Sequence, residues 1–206
     1  MKTKIILASA SPRRKELLEQ IGVSFDIYSA DIDETPYKAE PPADYVQRMA
    51  KSKAYETCAQ LQLLKGTCVE TKVIVLASDT CAVLDNCIFG KPETKSEFIG
   101  MMEQLSDRQH EVMTSVHTLE LTSSGINSEL AFTVITKVKF KPLSLQEINE
   151  YWLTGEPKDK AGGYGIQGKG AVFIESIEGS YSSVVGLPIK ETAEVLVKYD
   201  VDIWIN

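Results

Sequence analysis

The chain has 206 residues, 43% of them hydrophobic and 25% charged, with a formal net charge of −7. That is the composition of an ordinary globular protein with one sizeable core. The acidic balance argues against a nucleic-acid polymer as partner, since such partners call for a basic surface. No apolar run approaches the roughly 20 residues that span a bilayer. The short apolar stretch in MKTKIILASASPRR reads as a strand and not as a signal peptide, so the expected compartment is the cytoplasm, with no membrane partner.

The first element is a short buried strand at Lys4 to Leu7. A helix follows from Pro12 to about Gln20. Ser11 is a good N-cap, Pro12 fits the first helical position, and Gly22 can end the helix in a left-handed turn. Arg13 and Arg14 therefore sit at the positive end of the helix dipole, where a cation is disfavoured by a few tenths of a kcal/mol unless an anion faces it. Val23 to Ser29 reads as a second strand ending in the acidic DIDET. Pro41–Pro42 precedes a helical pattern from Ala43 to about Leu64, with an apolar stripe of Val46, Met49, Ala50, Ala54, Cys58 and Leu61.

Lys72 to Ala77 is an unbroken apolar run, as in strands buried on both faces. Cys81 to Leu84 continues extended and Asp85–Asn86 turns. Ser96 to Leu105 is helical by spacing. The alternating stretches HEVMTSVHTLEL and LAFTVITKVKFKPL flank a polar SSGINSE connection, as in a hairpin. Leu145 to Leu153 reads as a helix, AVFIESIEG as a strand, and Ile189 to Tyr199 as a final helix. Without repeats or linkers, the expectation is a single α/β domain over residues 1–206 with a mixed sheet.

Histidine and cysteine chemistry are both disfavoured. Cys58, Cys68, Cys81 and Cys87 form no C-x-x-C pair and read as reduced, mostly buried thiols. His110 and His117 lie in a strand-like stretch with no zinc-protease or serine-elbow motif beside them.

Charges that break the pattern are more informative. Lys53 falls inside the apolar stripe of the long helix; alone it would be a snorkelling lysine. Asp79 lies between two apolar segments, where a carboxylate is costly unless cations or donors meet it. Asp31, Asp33 and Glu34 follow another strand. Two acidic clusters past strand ends can converge on a hard divalent cation, and Arg13, Arg14, Lys53 and Lys91 suit phosphate oxygens. Bound metal plus converging cations is what phosphoryl chemistry requires, so the anion opposite the first helix reads as a polyphosphate.

Three motifs compete for attention. Gly162 to Gly168 spells G-x-G-x-x-G and Gly163 to Lys169 spells G-x-x-x-x-G-K, but a strand and not a helix follows, and Gly170 stands where a P-loop needs Ser or Thr. The stretch remains a close-approach loop carrying Gln167, whose amide suits a base edge. DIDET matches the D-x-D-x-T of haloacid-dehalogenase-type phosphatases, with Asp31 as nucleophile and Asp33 as acid/base, although the late acidic pair of that superfamily is missing.

Several ordered blocks resemble the Maf family of nucleoside triphosphate pyrophosphatases: LASASPRR, Glu34 in DIDE, Lys53 in MAKSKA, ASDT at 77–80, GKP at 90–92, KAGGYGIQG at 160–168 and GSYSSVVGLP at 179–188. The resemblance implies an elongated two-lobed α/β fold, similar to inosine triphosphatases, with a nucleotide groove between the lobes and commonly a homodimer. It implies a divalent cation, Mg²⁺ or else Mn²⁺, and hydrolysis of a nucleoside triphosphate to the monophosphate and pyrophosphate. Asp79 then looks like the catalytic acidic residue that activates water, and Glu34 like its metal-binding partner. Arg13, Lys53 and Lys91 look like triphosphate ligands, with Ser9, Ser11 and Arg14 beside them. Arg13, Thr80 and Gln167 match the positions tied to base selectivity, and Thr after the Asp with YGIQG is similar to the branch acting on dTTP and UTP. Modified pyrimidine triphosphates fit the same site, and the family's link to cell-division arrest keeps a nucleotide-binding regulator as an alternative class. Asp107, Ser115 and Asn86–Cys87 depart from the family's usual glycine-containing positions, away from the expected chemistry.

Overall fold

A computed structural model describes residues 2–68 and 70–204. The chain is mixed α/β, with seven strands, β1 (Lys2–Leu7), β2 (Asp26–Ile27), β3 (Thr71–Leu84), β4 (Cys87–Phe89), β5 (Gln109–Thr122), β6 (Gly125–Phe140) and β7 (Ile174–Glu178). They pair in the order β2-β1-β3-β5-β6-β7, with β4 on β3. Among the described residues six α-helices accompany them, α1 (Pro12–Gln20), α2 (Pro42–Gln60), α3 (Lys95–Leu105), α4 (Leu145–Leu153), α5 (Tyr181–Val185) and α6 (Ile189–Lys198). Contacts divide the chain into two compact units, 1–79 with 114–133 and 186–206, and 80–113 with 134–185. Strands β3, β5 and β6 each pass from one unit into the other.

In the first unit β1 runs parallel to β2 and to β3, with Ile5 opposite Ile74 and Leu7 opposite Leu76. Parallel strands bury both faces, which explains the unbroken apolar runs. Ile6, Ala8, Val73, Val75, Ala77, Leu119 and Leu121 pack with Ala54 and Cys58 of α2 in one core. In the second unit β4 folds back on β3 through Asp85–Asn86, both at positive φ, and β7 runs antiparallel to β6. Phe98, Met102 and Leu105 of α3 and Ile148 and Tyr151 of α4 pack there with Phe140, Tyr164 and Phe173.

The helix expectations hold closely, and the differences have physical causes. The second strand shrinks to Asp26–Ile27, because both residues are exposed at the sheet edge and gain no burial from a longer ladder. Helix α2 stops at Gln60, since its fully buried stripe ends at Cys58; Gln62 turns to φ 57° and a 3₁₀ turn takes Leu63–Lys65. Ala171 to Phe173, read as strand, lie in a 3₁₀ turn ahead of β7. The hairpin connection narrows to Ser123–Ser124, and Ile126 to Glu129 join β6. All four cysteines are free, but only Cys58 and Cys81 are buried, which corrects the expectation of mostly buried thiols. Both histidines are buried. Among the described residues no helix is long and apolar enough to cross a membrane.

Candidate active site

The first unit gathers most of the expected residues around the carboxyl end of β1, where its ladder with β3 closes. The parallel ladder between these strands closes where Ala8 N–H donates to Leu76 O at 2.8 Å. Asp79 lies just beyond that last rung, although β3 itself continues through it to Leu84; the expectation that a strand ends before Asp79 is corrected to this extent. Carboxyl ends of parallel strands are where open α/β sheets place ligands. Asp79 is only 7% exposed, which requires a partner. Lys53 supplies it. From the same face of α2 as Val46, Met49, Ala50 and Thr57, its Nζ donates to Asp79 Oδ1 at 2.6 Å and to Glu34 Oε1 at 2.6 Å.

Glu34 belongs to an irregular acidic segment, and α2 holds that segment in place. The Tyr45 hydroxyl donates to Glu34 O at 3.0 Å. Arg48 forks onto both carboxylate oxygens of Glu40 at 2.6 and 2.7 Å, donates to Thr35 O at 3.1 Å, and stacks 3.8 Å from the Tyr37 ring centroid. A fork on a carboxylate is a strong, directional contact. The Arg48 hydrogen bonds hold the Glu40 carboxyl below its ordinary value. Asp33 turns to its own backbone, where Oδ1 accepts the Thr35 N–H at 2.9 Å, and Asp31 is exposed. The bond from Thr35 keeps the Asp33 carboxyl ionised to lower pH than usual, a poor state for the general acid of a dehalogenase-type phosphatase.

At the start of α1 the cap differs from expectation. Ser11 makes no side-chain cap bond; Ser9 Oγ accepts the Ser11 N–H at 3.2 Å and the Arg14 Nη1 at 3.1 Å. Arg14 Nε donates to Gly186 O at 2.9 Å, and the buried Ser78 hydroxyl donates to the same carbonyl at 3.0 Å. Burial lowers the pKa of the Arg14 guanidinium, while the Asp79 charge opposes that and Arg13 adds to it. The anions facing the first turn thus include the Asp79 and Glu34 carboxylates of the protein itself.

The donor set fits a hard divalent cation of the kind the resemblance implies. Two carboxylate oxygens, one each from Glu34 and Asp79, converge on one point now held by an ammonium group. Mg²⁺ is commonly bound through one or two carboxylates with the substrate's phosphates and water completing the shell. Among the described residues no group of three His, Cys, Asp or Glu could hold a metal ion.

The second unit holds the other expected residues. Thr80 is half-buried on β3. Lys91, exposed after β4, follows Gly90, whose carbonyl accepts the Gly162 N–H at 2.9 Å; this bond brings GKP against the loop KAGGYGIQG. Gln167 is exposed on that loop. A 3₁₀ turn and β7 follow it, so neither dinucleotide nor P-loop geometry is present. Buried Tyr164 anchors the loop through its hydroxyl, 2.7 Å from His110 Nε2. Sequence reasoning missed Ser78, Gly186 and Arg48. Gly186 acts through a backbone carbonyl, which leaves no signal.

A profile of the Maf family ("Maf-like protein") matches residues 4–199. The dTTP/UTP pyrophosphatase of Methylobacillus flagellatus is 50% identical over 94% of this chain and 92% of its own length. That of Colwellia psychrerythraea is 47% identical over 94% and 87%, and that of Aliivibrio fischeri 45% over 97% and 100%. Among solved structures, a HAM1 protein from Coxiella burnetii aligns over 96% of this chain and all of its own, at 15% identity and a TM-score of 0.49. The family match runs from within β1 through α6, and the relatives cover 94% or more of the chain; on that extent the chain belongs to the Maf family.

Proposed function

We propose that this chain hydrolyses dTTP and UTP to the monophosphate and pyrophosphate. The observation that carries the reading is the convergence of Glu34 and Asp79 on Lys53, just past the point where the parallel ladder of β1 and β3 closes, and beside Arg14. Relatives at 42–50% identity that are named dTTP/UTP pyrophosphatases support the substrate class. Asp79 takes the proton of a water that attacks the α-phosphorus. A new P–O bond forms there, the α–β bridging P–O bond breaks, and pyrophosphate leaves. Arg13, Lys53 and Lys91 offset charge on the departing group, as phosphoryl transfer demands. Mg²⁺ or Mn²⁺ on Glu34 and Asp79 would supply Lewis-acid stabilisation of the phosphate oxygens. With such a cation held by Glu34 and Asp79, Lys53 would be available to the triphosphate as its anion.

Gln167 and Thr80 select the base through the O2, N3–H and O4 edge that uracil and thymine share. A site built around such polar contacts discriminates strongly against ligands that cannot make them. The same reading covers modified pyrimidine triphosphates, places the enzyme in the cytoplasm as a homodimer, and gives its nucleotide-pool role a connection to cell-division arrest. Four free cysteines support a reducing compartment.

The test is release of pyrophosphate and of phosphate across a nucleotide panel, with and without Mg²⁺. Metal-dependent pyrophosphate from dTTP and UTP, with little from purines, is the expected result. Asp79→Asn keeps the fold and lowers kcat by about a thousandfold; near-normal turnover in that variant sinks the mechanism. Free phosphate from simple phosphomonoesters would move the assignment to a phosphatase, and stabilisation by nucleotide without turnover to a binding regulator.

A further inference from the structure

Glycine-rich loops are flexible unless something holds them. Over segment 165–170, beyond the Tyr164 anchor, one carboxylate supplies much of that hold. Glu156, in the 3₁₀ turn Glu156–Asp159 that follows α4, accepts three hydrogen bonds. Its Oε1 takes the Tyr151 hydroxyl at 2.7 Å and the Gly170 N–H at 3.2 Å, and its Oε2 takes the Lys169 N–H at 2.8 Å. The same Tyr151 oxygen accepts the Gly165 N–H at 3.2 Å. Lys160 Nζ donates to the Glu156 carbonyl at 2.8 Å. Both ends of segment 165–170 are therefore tied to one anchor, and Gln167 sits on the arc between them.

The glycines make room for that anchor. A Cβ on Gly168 would lie 2.4–2.5 Å from the Glu156 carboxylate, on Gly165 2.6 Å from Lys160 Cε, and on Gly170 2.6 Å from the Tyr151 oxygen. Glycine at Gly168 leaves the carboxylate its place by close approach and not by backbone angle, since its φ is −112°. Burial raises the Glu156 carboxyl, but the Tyr151 hydroxyl and the two N–H groups outweigh it and hold the group ionised. An ionised carboxylate that accepts three bonds is a stiff support.

We propose that Glu156 is a positioning residue for base selection: its carboxylate fixes the loop 165–170 so that Gln167 meets the pyrimidine edge. The proposal rests on the reading of Gln167 as the base-facing side chain. It extends specificity to a residue that does not itself touch the nucleotide.

The test compares wild type, Glu156→Gln and Gly168→Ala by calorimetric titration with the α,β-imido analogues of dTTP, UTP and dGTP, which report preference without turnover. Glutamine is isosteric, but in either orientation its NH₂ meets a backbone N–H, so one loop bond is lost. Gly168→Ala retains every donor and displaces the carboxylate from the other side. Both variants are expected to lower the preference for dTTP over dGTP by about tenfold, the equivalent of one lost buried hydrogen bond. In a Gln167→Ala background Glu156→Gln is expected to add nothing further.

A lowered melting temperature with unchanged preference in both variants overturns the proposal, because a purely structural brace behaves that way. No preference in the wild type overturns it as well. Normal preference in the wild type without pyrophosphate release would defeat the hydrolase reading and leave the loop assignment standing.

Discussion

Lys53 joins two carboxylates at one ammonium group, and at the scale of single residues this contact decides most about the site. Asp79 has a side chain only 10% exposed, so removing its cation leaves a charge with little water. Breaking such a pair costs more than the pair itself contributes. Lys53→Met is expected to lower stability by roughly 2 kcal/mol in urea denaturation, discounted because the Glu34 side chain remains 42% exposed. Adding Asp79→Asn to that variant removes the orphaned charge and is expected to recover part of the loss. Strict additivity of the two changes would show that the residues do not interact. The sequence marked Lys53 and Asp79 because each broke an apolar pattern. It could not show that they meet, since the contact joins residues 26 positions apart.

Whole elements were easiest to read where several local signals agreed. Helix α1 has Pro at its first turn and Gly22 at φ 74° beyond its end, and its bounds match expectation. Helix α4 adds a full capping box between Ser144 and Glu147 and ends at Leu153 as expected. The cap of α1 is less simple than its N-cap serine suggests. Ser11 occupies the N-cap position, but Ser9 makes the bonds because its hydroxyl can serve both the Ser11 N–H and Arg14. Ser11→Ala is therefore expected to change stability by less than about 0.5 kcal/mol, while Ser9→Ala costs about 1 kcal/mol. Ser144→Ala, the loss of a true capping box, provides the reference at about 1 kcal/mol. Equal losses for Ser9→Ala and Ser11→Ala in denaturant midpoints would contradict the geometry. Edges were less legible than helices. β2 and the stretch ahead of β7 carry strand-like residues, but Ile27 and Val172 stay exposed and lack the burial that a longer strand needs.

Across the whole molecule the fold class was legible from continuous apolar runs alternating with helical stripes, because burial on both faces leaves that trace. The histidines left no such trace, and burial lowers the pKa of both. Each unit buries one. In the second unit, desolvation pushes His110 down to about 4, with only the Tyr164 hydroxyl at its Nε2. In the first, burial also lowers His117, against the pull of Glu129 at 2.9 Å, with Lys51 opposing that pull. A histidine whose folded value is depressed binds its proton in the unfolded chain first. Below the ordinary value near 6.5 the unfolded state therefore takes up protons that the native state refuses, and stability falls as pH falls. For His110 the loss begins near pH 6.5 and is complete near pH 4, with a slope approaching about 1.4 kcal/mol per pH unit. Unfolding between pH 6.5 and 5 should be accompanied by net proton uptake, measurable by calorimetry in buffers of different ionisation enthalpy. His110→Gln, which keeps a polar atom for Tyr164 but cannot titrate, is expected to flatten the melting temperature over that interval. A variant with the same slope as wild type would move the acid sensitivity away from His110 and onto His117.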